Sequence, residues 1–261
     1  MFLFYLKKNF CDGWDNAGQL IIVNLILLAY TCAAFFLNAL AGAWGNAFGL
    51  LVFTFTCGIF GILVTAYGEH AAAIASFETR PLRDYFSGIK NCAKDGFLFG
   101  CLCSIIFSAC AIGIPGYLSM KSTFGFFLAV ILFWVGVISA LALQWFIPLR
   151  SIMHNNFKKC LKKCFIIFFD NTFFSILVGI YTLVMLPLSL FLFFLVPSAA
   201  GILLAQTNAL RLRLYKYDYL EQHPELTKEE QKDIPWPELL EEDKECLGHR
   251  SLRSFIFPWK D

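Results

Sequence analysis

The sequence has few charged residues, and long stretches of it have none. Only 15% of the 261 residues are Asp, Glu, Lys or Arg, against about 25% in ordinary soluble domains. None occurs between Asp15 and Glu69, nor within 96–120, 122–149 or 171–210. Each gap holds one or two apolar runs of about 20 residues, the length of helix that crosses a bilayer core. We therefore predict an all-α, multi-pass membrane protein.

The sequence patterns of common catalytic and metal sites are also missing. HExxH, GxSxG, GxxxxGK[ST], GxGxxG and CxxC do not occur, so no residue set points to a particular reaction. Five of the ten cysteines fall inside apolar runs, where cysteine acts as a small apolar residue. We accordingly predict no enzymatic activity, no cofactor and no metal site.

Hydropathy predicts about six membrane-spanning helices, at 20–37, 47–67, 97–117, 124–146, 172–196 and 198–210. The sixth run is short because Arg211 ends it, but charge counting favours it. One side of the predicted membrane receives 14 Lys and Arg residues and the other side only Lys121. The positive-inside rule then places both termini in the cytoplasm, which requires an even number of crossings. The prediction is three helix hairpins in a bacterial cytoplasmic (inner) membrane.

An amphipathic segment precedes each of the odd-numbered spans. In residues 81–95 and 148–165 apolar residues recur at helical spacing opposite a basic face, and residues 1–14 form a shorter version. Such helices lie in the membrane interface, with the apolar face toward acyl chains and the lysines toward anionic headgroups. The predicted headgroup ligands are Lys90, Lys94, Lys158, Lys159, Lys162 and Lys163. Because lipid already accounts for this basic charge, we do not expect nucleic-acid binding.

Each amphipathic segment ends at an aspartate, namely Asp15, Asp95 and Asp170. An aspartate at an N-cap accepts hydrogen bonds from the first free N–H groups of a helix and suits its positive dipole end. We predict that these three residues cap the spans that follow. The even spacing favours a unit repeated three times, although independent selection of Lys and Asp at each junction remains an alternative.

Glu69, His70 and Gln144 are the candidates for a polar pocket near the spans. Ionisable groups are costly inside a bilayer, so those near a span are functional candidates. The alternative for Glu69 and His70 is an interfacial pair on a helix that projects into the cytoplasm. The alternative for Gln144 is a hydrogen bond between helices, the ordinary role of such a side chain in a span.

The charge divides the chain into two domains. Residues 1–216 form the predicted transmembrane domain with net charge +8, and residues 217–261 form an acidic cytoplasmic tail with net charge −6. Thr227 and Glu230 have the spacing of a capping box, and a helix is predicted between Pro237 and Gly248. The apolar end of the tail, 255–259, is expected to dock on the basic interfacial helices or on a partner protein.

The stretches PLRDYFSGIKNCAKDGFLFG (81–100) and LKKCFIIFFDN (161–171) resemble the YesL-like family of bacterial multi-pass membrane proteins. The resemblance covers residues 10–215, and the acidic tail after Lys216 departs from it. That family is largely uncharacterised and is associated with carbohydrate uptake, so the resemblance implies a transport-accessory role and supplies no catalytic residues.

The leading functional prediction is a non-enzymatic scaffold or transport accessory that engages lipid headgroups or a partner complex on its cytoplasmic side. The alternative is a small channel or carrier for an apolar or weakly polar solute, with Glu69, His70 and Gln144 near its path. A lipid-modifying enzyme would need converging polar groups, for which only Glu69, His70 and Asp84 are available. The sequence does not indicate an oligomeric state.

Overall fold

A computed structural model describes residues 1–225, 227 and 230–248, and this part of the chain contains helices and no strand. The predicted dock of residues 255–259 lies outside the described residues. The helices are α1 (Phe2–Asp15), α2 (Ala17–Gly42), α3 (Asn46–Ala75), α4 (Arg83–Ser119), α5 (Thr123–Leu143), α6 (Phe146–Met153), α7 (Phe157–Asp170), α8 (Thr172–Phe191), α9 (Ser198–Gln222), α10 (Trp236–Leu239) and α11 (Glu241–Leu247).

Within the described residues, five helical stretches are long and apolar enough to cross a membrane: α2, α3, α4, α8 and the stretch Thr123–Met153 that contains α5 and α6. This confirms the prediction of an all-helical chain with several membrane-compatible helices. Helix α9 begins at Ser198, where the sixth run was predicted. It is not among the five, because polar residues and arginines interrupt its apolar run. The arrangement as six spans in three hairpins stays a prediction.

The second predicted interfacial helix is not a separate element. Helix α4 runs without a break over 37 residues, so Asp95 lies inside it. The prediction that Asp95 caps a helix is therefore wrong. Gly96, the next residue, packs closely on α3, because a Cβ atom there would lie 2.8 Å from Cα of Ile62.

Asp15 and Asp170 are each the last residue of a helix, α1 and α7 respectively. The N-cap residues of the following spans are Asn16 and Asn171, and neither side chain makes a capping hydrogen bond. The Asn16 amide instead donates to the carbonyl of Asp12 at 2.9 Å. The predicted caps at Asp15 and Asp170 are thus misplaced by one residue, because each asparagine lies between two helices in a one-residue joint.

The long apolar helices pack in chain order, α2 on α3, α3 on α4 and α4 on α5. Helix α9 packs against α1, α2, α3, α6 and α8. The buried side chains of α9 include Leu203, Leu204, Ala209 and Leu210. Helix α9 therefore forms the centre of one end of the bundle. We call this end, where α1, α6, α7 and the second half of α9 meet, the polar end.

Asn24 of α2 fixes the start of α9. Its side-chain amide donates to the carbonyls of Leu195 at 2.8 Å and Pro197 at 3.0 Å, and its oxygen accepts from the N–H of Ala200 at 3.0 Å. The chain between α8 and α9 is not helical, so its backbone groups need partners from outside. One buried side chain supplies three of these bonds.

Candidate functional site

The structure gives Glu69, His70 and Gln144 different partners. The Glu69 carboxylate lies 3.9 Å from the guanidinium groups of both Arg80 and Arg150. Nε2 of His70, a buried residue, lies 3.1 Å from the carbonyl of Pro81. The Gln144 amide donates to the carbonyl of Ser175 in α8 at 2.9 Å. The structure therefore does not gather the three side chains around one partner.

A charge cluster around Arg150 joins three helices. From α6, Nε of Arg150 lies 3.1 Å from the carboxylate of Asp95, and Nη2 donates to the carbonyl of Asn91 at 3.2 Å, both in α4. Its Nη1 lies 3.9 Å from Glu69 in α3. The Arg150 side chain is only 12% exposed, which makes these contacts more favourable than an exposed ion pair. Sequence analysis did not predict this cluster.

A second polar cluster is buried between α1 and α9. Nζ of Lys8 lies 3.0 Å from the carboxylate of Asp12, and the lysine side chain is 2% exposed. The Asn208 amide donates to Asp12 and to Asn9, each at 2.9 Å. Burial lowers the pKa of Lys8 and raises the pKa of Asp12. The ion pair opposes both shifts. Lys8, one of the 14 basic residues counted on one side of the predicted membrane, therefore has its partner inside the protein.

The described part of the acidic tail is docked on the polar end. Oδ1 of Asp243 in α11 lies 2.9 Å from Nη2 of Arg211 and accepts from the hydroxyl of Tyr215 at 3.1 Å. Burial raises the pKa of Tyr215 to about 12, so this hydroxyl remains a donor at neutral pH. Leu240 and Leu247 are buried beside this contact. The segment 236–247 therefore docks on α9.

The joint between α7 and α8 is also tied to α9. The hydroxyl of Tyr217 donates to the Asp170 carboxylate at 2.6 Å, and Lys216 lies 3.5 Å from the same group. Burial alone would raise the pKa of Asp170, but these two partners lower it overall. Nη1 of Arg213 donates to Asn171 at 3.2 Å. Asp170 thus links helices rather than capping one.

Helix α7 presents its lysines outward. Cys160, Cys164, Ile167 and Phe168 are buried on its other face, and α7 packs against α5 and α6. This buried side of α7 is covered by protein, whereas Ile166 and Phe169 of the same helix are exposed. Contact of α7 with acyl chains stays a prediction. In α1, by contrast, Leu3 and other apolar residues are exposed while the polar face is buried.

The predicted headgroup lysines are mostly exposed and unpaired. Five of them are exposed, Lys90, Lys94, Lys158, Lys159 and Lys162, whereas Lys163 is half-buried. Nζ of Lys163 lies 3.2 Å from the sulfur of Met153. Within the described residues, none of the six lysines forms an ion pair. The ammonium groups of the five exposed lysines are therefore accessible to anions in solution or at a membrane surface.

Across 1–225, 227 and 230–248, no group of three or more His, Cys, Asp and Glu residues is arranged to hold a metal ion. Burial raises the pKa of the Cys160 and Cys164 thiols, so both are poor nucleophiles at neutral pH.

No protein-family model matches the chain, and no curated protein or solved structure matches it significantly. The resemblance to the YesL-like family stays a prediction.

Proposed function

We propose that the protein is a non-enzymatic scaffold or transport accessory of a bacterial cytoplasmic membrane, and that lysines of α4 and α7 bind anionic headgroups. The observation that carries this proposal is a contrast between two sets of charged side chains: one set forms ion pairs inside the protein, and the other is exposed and forms none. Partly buried charged groups such as Arg150 and Asp95 pair with each other. By contrast, five of the six headgroup lysines are exposed, and all six lack ion pairs in the described chain.

Physical chemistry supports this assignment of roles. Each lysine near an anionic membrane surface contributes about 1 kcal/mol of attraction, so a cluster gives substantial binding. Helix α7 is held by buried contacts on its other face, so its lysines are presented by a fixed element. A fixed basic face next to apolar helices is suited to the interface of a bilayer.

The test measures which lipid contacts the protein in reconstituted phosphatidylcholine vesicles. A small amount of spin-labelled phosphatidylglycerol or phosphatidylcholine is added, and the motionally restricted fraction of each is recorded. We expect the protein to prefer phosphatidylglycerol and to lose this preference in the triple variant Lys158→Gln, Lys159→Gln, Lys162→Gln. Lys121→Gln, an exposed lysine in the turn before α5, is the control. Equal selectivity in the triple variant and the protein would contradict the proposal.

A partner protein would meet a different surface, the acidic face of α10 and α11. The glutamates of this face, Glu238, Glu241, Glu242 and Glu245, are exposed. Changing all four to glutamine would remove a charge-dependent partner without disturbing the buried Asp243. The channel or carrier alternative receives no comparable support, because Glu69, His70 and Gln144 contact different elements.

A further inference from the structure

The turn between α8 and α9 lies level with the first half of α2. Asn24, which belongs to that half, donates to the turn carbonyls of Leu195 and Pro197. From Asn24, α2 continues to Gly42, about 27 Å further at about 1.5 Å per residue. This distance is close to the thickness of a bilayer core, about 30 Å. Where α2 crosses a membrane, the turn therefore stays far from the membrane surface that Gly42 reaches.

The burial of α2 and α3 agrees with this level. In α2, no residue between Leu27 and Ala41 is buried by the described chain. In α3, none of residues 46–55 is buried by it, whereas most of residues 65–75 are. Helix α9 packs against both helices. It therefore covers only the half of each helix that is nearer to the polar end.

Helix α9 also begins well short of the far end of α3. Near the polar end, Nη1 of Arg211 donates to the carbonyl of Ala75, the last residue of α3. From Arg211 back to Ser198, α9 rises about 20 Å, which is less than a bilayer core. From Ala75 back to Asn46, α3 rises about 44 Å. The start of α9 therefore lies near the middle of α3.

Helix α8 stays within the depth of α9, because both of its ends are bonded to that helix. At one end, Nη1 of Arg213 donates to Asn171 at 3.2 Å. At the other end, the N–H of Ser198 donates to Oγ of Ser189 at 2.9 Å, and α8 ends within one turn of Ser189. Helix α8 is long and apolar enough to cross a membrane, but these contacts hold it beside the short helix α9.

The turn is suited to an environment without water. Non-helical backbone is tolerated at membrane depth only where protein satisfies its polar groups. Asn24 and Ser189 together make four hydrogen bonds to backbone groups of the turn and of the start of α9. The turn carries no charged residue, and the side chains of Leu190, Phe191 and Phe193 are 64%, 83% and 80% exposed. Such side chains are favourable in hydrocarbon and costly in water.

We propose that α8 and the start of α9 form a re-entrant hairpin, which enters the bilayer from the polar end and turns back without reaching the far side. Lipid acyl chains cover its aromatic turn. Four stretches then cross the membrane, namely α2, α3, α4 and Thr123–Met153, so both termini still lie on one side. This inference goes beyond the proposed function. It requires only that the long apolar helices lie in a membrane, and it does not involve the lysines of α4 and α7.

The test measures the depth of the turn in the full chain, reconstituted in phosphatidylcholine vesicles. Cys32 and Cys246, the exposed cysteines of the described chain, are changed to serine, and one nitroxide is attached at Phe193→Cys. The control label is at Ala43→Cys, in the turn between α2 and α3. Power saturation in electron paramagnetic resonance compares collisions of the label with O₂, which is enriched in hydrocarbon, and with a water-soluble nickel chelate.

We expect the label at position 193 to collide with O₂ and to be several-fold better protected from the chelate than the label at position 43. Equal access of the chelate to both labels would overturn the proposal, because α8 and α9 would then be two crossings. Protection of position 193 from both agents would overturn the contact with acyl chains, because protein would cover the turn. Phe191→Cys, at a second exposed position, provides the same test if the first variant fails to fold.

Discussion

The guanidinium of Arg150 in α6 lies 3.1 Å from the carboxylate of Asp95 in α4, although 55 residues separate them in the chain. The same guanidinium contacts Glu69 in α3. One arginine therefore connects three helices where they reach the polar end. These contacts attach the short helix α6 to α3 and α4.

Arg150→Gln should destabilise the fold. The change leaves the partly buried carboxylates of Asp95 and Glu69 without their shared partner, at a cost of about 1.5–3 kcal/mol. Unfolding in detergent by a denaturing surfactant measures the effect. Arg83→Gln is the control, because Arg83 is exposed and forms no ion pair in the described chain. Adding Asp95→Asn to Arg150→Gln should recover part of the loss, and strict additivity would argue against a direct interaction.

Lys8→Met should lower the stability of the fold substantially, although the two side chains are similar in size. It leaves the carboxylate of Asp12 buried and without its ammonium partner, which costs about 3–5 kcal/mol for a buried pair. Replacing both residues, as Lys8→Met with Asp12→Leu, should restore most of the stability because no uncompensated charge remains. Lys7→Met, at an exposed neighbouring lysine, serves as the control. If the double variant is as unstable as Lys8→Met alone, the unpaired charge of Asp12 is not the cause of the lost stability.

Gly100→Ala should loosen the packing of α3 on α4. A Cβ atom at Gly100 would collide with the backbone of Cys57 and Gly58, and such overpacking costs about 1–3 kcal/mol. Gly116 in the same helix has open space around its Cα atom, so Gly116→Ala should be neutral or slightly stabilising. Thermal denaturation in detergent distinguishes the two variants. Equal midpoints would show that the helices are not in close contact at Gly100.

Asn24→Ala should weaken the start of α9. The change removes three hydrogen bonds to the backbone at 195–200, and each buried group left unpaired costs about 1–3 kcal/mol. Hydrogen exchange of amides early in α9, followed by mass spectrometry, should speed up. Gln206→Ala, which changes a half-buried amide side chain of α9, provides the comparison. Unchanged exchange in Asn24→Ala would mean that these bonds do not hold the helix start.

Hydropathy predicted the long helices well, because long apolar runs have few alternatives in a membrane. All five span-capable stretches contain a predicted span or most of one, and the helix start at Ser198 was predicted correctly. The error at Asp95 came from ending the amphipathic helix at this residue, whereas α4 continues through Gly96. A glycine before an apolar run signals either a turn or a close helix contact, and sequence alone does not separate the two.

The polar contacts could not be predicted, because they join residues far apart in the chain. Arg150 belongs to the segment 148–165 with its predicted basic face, yet its position beside Asp95 depends on how both α6 and α4 pack against α3. Likewise Asp243 was one acid among many in the tail, and its burial depends on the docking of α11 on α9. Local patterns identify which side chains are amphipathic or charged, but pairing depends on the tertiary arrangement.

The account requires that the polar end, with its lysines and docked tail, lies on the cytoplasmic side, opposite the turns between α2 and α3 and between α4 and α5. Single cysteines at Ala43, Ser122 and Asn156, together with native Cys246, are labelled in intact cells with a membrane-impermeant maleimide, in a background without Cys32. We predict that Ala43→Cys and Ser122→Cys react from outside and that Asn156→Cys and Cys246 react only after the membrane is opened. Labelling of Cys246 from outside would place the tail on the wrong side of the membrane and would contradict the account.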